Sequence, residues 1–142
     1  MELHVFLRDS SVPTVGEWQR AIREAGFDLL LDTSLRLRED TGFSPTVYRG
    51  REAGFEFDLW PASEIAATYP DAASRIGERN TVATFRWGSD LTECAAAVIA
   101  AAVLARLTDG VFFDPQEGEL ANGDEAIQVA RQTEQQINEN LA

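Results

Sequence analysis

The densest run of side chains with chemical potential is acidic and lies in residues 109–125. It holds six carboxylates and no basic side chain in 17 residues, namely Asp109, Asp114, Glu117, Glu119, Asp124 and Glu125. Carboxylates near a strand end can hold Mg²⁺, which favours one or two carboxylates plus water. One hypothesis is therefore a metal-dependent hydrolase whose ligands come from Asp109, Asp114, Glu117 and Glu119.

The same run also fits a solvated acidic surface. An EF-hand calcium loop needs an acidic or amide ligand where Gly118 stands and a glycine one residue later, so that pattern fails. Asp124 and Glu125 fit the start of a helix, where carboxylates are favoured. On this interpretation, which we prefer, the chain holds no metal or cofactor. Asp109, Asp114, Glu117 and Glu119 are then contacts for a binding partner.

Two tryptophans, Trp60 and Trp87, end predicted strands. A large amphipathic ring in that position can cover a pocket or the surface of a partner, although it can also seal the edge of its own core. We therefore add both to the predicted binding residues. Glu56 and Asp58 share one face of the predicted strand that Trp60 ends. Their spacing would allow a general acid and base pair, but it is typical of the polar face of a strand. No catalytic residue is predicted.

The composition excludes several enzyme classes. All 12 basic side chains are arginine, so a Schiff-base lysine and a phosphate-loop lysine are impossible. One histidine and one cysteine cannot build a zinc site from His and Cys alone. Cys94 lies in an apolar stretch, where burial raises a thiol pKa and makes it unreactive. The sequence thus points away from an enzyme.

Nucleic acid and membrane partners are also disfavoured. Arg36, Arg38, Arg49 and Arg51 lie near Tyr48 and could grip phosphate, but acidic residues are interleaved with them and the net charge of −12 repels a polyanion. The longest apolar run, residues 94–105, is short of the roughly 20 residues that span a bilayer. No secretory signal is readable at the N-terminus, so we expect a cytoplasmic protein.

Hydrophobic periodicity predicts one α+β domain over residues 1–142. Strands are expected at residues 3–7, 27–31, 46–49, 54–60, 81–87 and 111–114, and helices after Thr14, Ser63, Asp90 and Asn122. The order β-α-β-β-β-α-β-α-β-α predicts a mixed, mainly antiparallel sheet with the helices largely on one face.

The helix predicted at residues 90–107 has small apolar side chains on every side. A helix on the outside of a monomer shows a polar stripe, and this one has none between Cys94 and Ala105. It is therefore either the sandwiched helix of a monomer or the seam of a symmetric homodimer. We favour burial within the monomer, because a chain of this length has enough other elements to cover one helix.

Segments across most of the chain resemble small bacterial α+β domains. They are the Val12–Trp18 segment, the Gly54–Phe57 arm, and the stretch from Phe85-Arg-Trp-Gly88 through the alanine-rich helix to Gly110-Val-Phe-Phe-Asp-Pro115. Some of these domains resemble immunity-type proteins of toxin systems. The resemblance implies a non-enzymatic protein that binds a toxin, and it assigns no binding residues.

The first functional hypothesis is therefore a non-catalytic protein-binding module, immunity-like, that presents acidic surface to a basic protein partner. Residues 108–142 carry eight acidic side chains and one arginine, whereas residues 1–107 carry 16 acidic side chains and 11 arginines. This asymmetry can steer a basic partner. The alternatives are the metal-dependent hydrolase and a structural homo-oligomer.

Overall fold

The computed structural model describes residues 1–141. The strands are β1 (Glu2–Leu7), β2 (Leu29–Leu30), β3 (Gly42–Tyr48), β4 (Arg51–Pro61), β5 (Thr81–Arg86), β6 (Val111–Asp114) and β7 (Glu119–Ala121). The α-helices are α1 (Val15–Glu24), α2 (Ala62–Thr68), α3 (Pro70–Ile76), α4 (Leu91–Leu107) and α5 (Gly123–Leu141), and a 3-10 helix spans Asp9–Ser11. None of the described helices is long and apolar enough to cross a membrane.

The seven strands form one sheet in the order β2-β3-β4-β5-β1-β6-β7. This confirms the α+β class, but every pair of described strands is antiparallel, whereas the sequence predicted a mixed sheet. The crossover through α4 does join two strands that run in the same direction, β5 and β6. Because β1 is inserted between them and pairs with both, the parallel strands never meet.

The three long helices pack on one face of the sheet, which we call the inner face. All residues of Ala95–Ala105 are buried within a single chain, which confirms the burial predicted for α4. Trp18 on α1 is fully buried, and its indole Nε1 donates to the carbonyl of Ala100 at 3.0 Å. The capping box predicted for α1 is present: the Thr14 hydroxyl accepts from the backbone N–H of Glu17 at 3.1 Å, and the Glu17 carboxylate accepts from the backbone N–H of Thr14 at 3.0 Å.

α5 is fixed against both α4 and the sheet. Gly123 lies so close to the backbone of Arg106 that a Cβ at position 123 would clash with it. The hydroxyl of Tyr48 on β3 donates to Oε2 of Glu134 on α5 at 2.8 Å. Burial, followed by this contact, raises the pKa of Tyr48 to about 12, so the hydroxyl keeps its proton and the contact persists at neutral pH.

The short helices α2 and α3 cover part of the opposite face, which we call the outer face. A second, smaller apolar cluster lies beneath them and contains Phe6, Ala62, Ala72, Ile76, Val82, Val111 and Phe113. No described helix lies over the outer face of β2, β3 and the first half of β4, and the side chains of Leu30, Phe43 and Val47 there are exposed. The sheet therefore has one fully covered face and one partly covered face.

Two local predictions were wrong. The β3-β4 hairpin turns through Arg49 and Gly50 alone, not through residues 50–53, because both residues adopt positive φ (49° and 78°) and close a two-residue turn. No strand was predicted after residue 114, but residues 119–121 form β7, which pairs with β6. A three-residue strand is too short to show a period-2 pattern in the sequence.

Candidate functional site

Cross-strand pairing places charged side chains in a row on the outer face. Glu56 on β4 lies opposite Arg86 on β5, and Arg86 lies opposite Glu2 on β1. Phe43 on β3 lies opposite Glu56 and extends the row toward the uncovered side of the sheet. Side chains of one strand alternate between faces, so register alone brings these four residues together.

Arg86 is bound by two carboxylates of this face. Its Nε donates to Oε2 of Glu2 at 3.1 Å, and its Nη1 lies 3.6 Å from Oδ2 of Asp58. The guanidinium is therefore neutralised locally. Glu56, the third carboxylate beside it, has no ion pair with any described residue.

His4 lies in the next row of the same face, two residues along β1 from Glu2. Its Nδ1 is 3.0 Å from Oγ1 of Thr84, and the ring is flanked by the rings of Tyr69 and Phe113 at centroid distances of 6.2 and 6.1 Å. Burial lowers the pKa of His4, although the neighbouring carboxylate of Glu2 opposes this shift. The only histidine of the chain is therefore neutral at pH 7 and is closed to solvent.

A cleft of about 770 Å³ opens at the end of the sheet where this row of charges lies. Three carboxylates and one guanidinium line it, from Glu2, Glu56, Glu93 and Arg86. Aromatic side chains of Phe43, Tyr69 and Trp87 form much of the remaining wall. We call this site the polar cleft.

Trp87 joins the polar cleft to the inner core. Its side chain packs against the inner apolar cluster, and its indole Nε1 is buried with no hydrogen-bond partner among the described residues. The thiol of Cys94 lies beside this indole, and burial raises its pKa. The single cysteine is thus protonated at neutral pH, as predicted, and is a poor nucleophile.

An exposed apolar strip lies beside the polar cleft on the outer face. Leu30, Phe43 and Val47 are 45%, 60% and 37% exposed, and Pro45 lies between the last two on the same side of β3. Phe43 also covers Gly54, where a Cβ would collide with its ring. We call Leu30, Phe43, Pro45 and Val47 the exposed strip.

The structure separates the acidic residues that the sequence grouped. Asp109 precedes β6 and Asp114 ends it, so the two lie at opposite ends of that strand. The Asp109 carboxylate is exposed and lies 3.9 Å from the guanidinium groups of both Arg8 and Arg79.

The other acidic residues of this segment shape a hairpin. Asp114 accepts from the backbone N–H groups of Gln116 and Glu117, at 3.0 and 3.4 Å, and lies opposite Glu119 across the β6-β7 pair. Glu117 and Glu119 are exposed. Among residues 1–141, no three His, Cys, Asp or Glu side chains are grouped so that they could hold a metal ion.

The two predicted tryptophans also lie apart. Trp60 is 44% exposed on the outer face of β4, where it lies opposite Val82. It borders a small depression with Asp9 and Arg38. Trp87 alone of the six predicted binding residues lines the polar cleft, together with Pro115 and Gln116 from the acidic hairpin.

Neighbouring acids bind two of the four arginines considered for nucleic-acid contact, whereas Arg49 and Arg51 form no ion pair with a described residue. Arg36 forms ion pairs with Glu39 at 2.6 Å and Asp40 at 3.0 Å, and Arg38 pairs with Asp9 at 2.9 Å. These pairs leave little unneutralised positive charge on that loop.

The sequence-based prediction missed Glu2, Arg86 and Glu93, which line the polar cleft, and His4, which lies beside Glu2. The alternation in β1 could have placed Glu2 and His4 on one face, opposite Leu3 and Val5. Nothing in the sequence shows that Glu2 faces Arg86, which is 84 residues away. Comparison with protein-family models, with curated proteins and with solved structures finds no match for this chain.

Proposed function

We propose that this domain is a non-catalytic protein-binding module, of the immunity-like kind, that docks a basic protein partner on the outer face of its sheet. The observation that carries the proposal is the exposed strip, which combines apolar side chains with adjacent carboxylates that have no partner. Val47 lies opposite Glu52 and Phe43 lies opposite Glu56 on β4. An apolar patch bordered by charge is typical of a protein interaction surface.

Electrostatics support a basic partner over a second copy of this chain. The net charge is −12, so two copies repel, whereas a cationic protein is attracted. Glu52 and Glu56 are exposed and form no ion pair with described residues, so a partner would not have to break an existing pair.

The burial and protonation of the reactive side chains support a role without catalysis. His4 is buried and neutral, and the thiol of Cys94 is protonated. The carboxylates proposed for a metal-dependent hydrolase are divided between the two ends of β6, and no three of them are grouped so that they could hold a metal ion among the described residues. A cytoplasmic location is part of the proposal, since a chain with one cysteine forms no internal disulfide.

The test is capture of partners from a native-host lysate by the immobilised chain, compared between two matched variants. Leu30→Ser/Val47→Ser removes two exposed apolar side chains of the strip. Leu91→Ser/Leu107→Ser removes two side chains at the ends of α4 that are each 41% exposed. We expect the strip variant to lose about tenfold or more in affinity and the control to bind like the wild type.

Salt provides the second arm of this test. A partner held by charge should elute as the salt concentration rises from about 50 mM to about 500 mM, because the Debye length falls. Capture that is equal in the two variants would show that binding does not use this surface, and capture that survives high salt would show that charge does not hold the partner.

A further inference from the structure

We propose that the polar cleft is the subsite for one arginine side chain of that basic partner. This inference rests on the proposed function and specifies its chemistry. The guanidinium would lie between the carboxylates of Glu56 and Glu93 and against the aromatic wall of the cleft.

The charge in the cleft selects a cation. Arg86 is already occupied by Glu2 and Asp58, so it is not free to bind an anion. Glu56 and Glu93 form no ion pair with any described residue. The amino group of Met1 is the other positive group at the rim, and it is directed at the carbonyl of Trp87 at 3.0 Å. The three carboxylates that line the cleft, from Glu2, Glu56 and Glu93, outnumber these two cations.

The aromatic wall favours a flat cation. Phe43 is 60% exposed at the mouth of the cleft, and Tyr69 and Trp87 also line it. A planar guanidinium stacks on aromatic rings and binds carboxylates through two parallel N–H donors, whereas the ammonium of lysine is a compact, strongly hydrated charge. The site therefore suits arginine better than lysine.

A buried polar side chain lies next to Glu2 on the same face of β1, outside the lining of the cleft. The side chain of His4 is 1% exposed, and its Nε2 has no hydrogen-bond partner in the described structure. The closest carboxylate oxygen to it is Oε1 of Glu2, at 3.4 Å. Glu2 thus lies between Arg86 and His4, which holds its negative charge in place at the base of the cleft.

The experiment is an NMR titration with N-acetyl-arginine methylamide, with the matching citrulline derivative as its neutral analogue of the same shape. We expect saturable shifts at the amides of Phe43, Trp87 and Gly88, with an affinity in the millimolar range. The arginine probe should bind at least about fivefold more tightly than the citrulline probe. The matching lysine derivative should lie between them.

Two variants test whether the carboxylates of the cleft contribute to binding of the arginine probe. Glu56→Gln/Glu93→Gln should lower the affinity for the arginine probe about fivefold or more, while Glu24→Gln, on the exposed end of α1, leaves it unchanged. Near-UV circular dichroism checks that each variant is folded, and Glu56→Gln alone replaces the double variant if that one unfolds. Equal affinities for the arginine and citrulline probes, or for the wild type and the Gln variant, would overturn the proposal.

Failure of the arginine subsite can be distinguished from failure of the proposed docking surface. The probe titration needs no partner, and Leu30 and Val47 do not line the polar cleft. If partner capture depends on the exposed strip while the probe shows no charge preference, the arginine subsite is wrong and the docking surface stands. If the probe binds as expected while capture is equal in both Ser variants, the docking surface is wrong.

Discussion

The two faces of the sheet differ in the side chains that they carry and in how far helices cover them. The inner face is apolar and lies under α1, α4 and α5, with Trp18 and the alanines of α4 almost inaccessible to water. The outer face carries the buried His4, the Arg86 ion pairs and the exposed strip. Stability is therefore concentrated on the inner face, which leaves the outer face free to carry groups that a core would not tolerate.

The strongest test of this contrast places one charge on each face. Ala100→Glu should destabilise the domain by more than about 4 kcal/mol at every protein concentration, because it buries an unpaired carboxylate within the monomer. Val47→Glu, on the exposed strip, should change the free energy of unfolding by less than about 1 kcal/mol. Urea denaturation measures both, and a stable Ala100→Glu variant would mean that α4 is not packed as described.

Removing a tryptophan from each face should give a smaller difference of the same sign. Trp18→Ala deletes a fully buried ring and its hydrogen bond to Ala100, at a cost of about 3–5 kcal/mol. Trp60→Ala removes a ring that is 44% exposed and should cost about 1 kcal/mol or less. Thermal melts followed by far-UV circular dichroism rank the two, and similar losses would refute the division of stability between faces.

The start of α4 gives a prediction of about 1 kcal/mol. Asp90 accepts from the backbone N–H groups of Thr92 and Glu93, and from the hydroxyl of Thr92, and these bonds lower its pKa. Asp90→Ala should therefore lose the usual stability of a helix cap, whereas Asp28→Ala, an exposed control, should be near neutral. A loss below about 0.3 kcal/mol in urea denaturation would show that packing alone fixes the start of this helix.

The outer face also makes stability depend on pH through His4. Because its pKa is lowered on folding, the unfolded chain binds more protons, and stability is complete above about pH 6.5 and falls as the pH drops below that value. The chain has no other histidine, and carboxylates titrate at lower pH. His4→Gln should remove the loss between about pH 6.5 and 5, measured as the urea midpoint. The same loss in His4→Gln would assign it to another group.

The inner face could be predicted from the sequence better than the outer face. The capping box of Thr14 and Glu17, the stripe that includes Trp18, and the absence of a polar stripe in α4 are local patterns, and each predicted its element correctly. The polar cleft depends instead on β1 pairing with β5, which sets Glu2 beside Arg86. That register is a product of tertiary packing and leaves no local pattern.

The acidic segment shows the same limit. The sequence shows that this segment is rich in carboxylates, but it does not show how they are arranged. That arrangement depends on β6, which separates Asp109 from Asp114, and on β7, which places Glu119 opposite Asp114. Trp87 was predicted from its position at the end of a strand and does line the cleft. Trp60 was predicted on the same ground and does not line it, so position at a strand end did not by itself identify a cleft residue.

Amide hydrogen exchange of the full chain, free and bound to its captured partner, distinguishes docking on the outer face from docking on the acidic segment. Docking on the outer face should give new protection in β3 and the first half of β4, at residues 42–47 and 52–58, and around Trp87. It should give no change in α5 or in residues 109–114. Protection confined to residues 109–119 or to α5, with β3 and β4 unchanged, would contradict docking on the outer face and would return the site to the acidic segment.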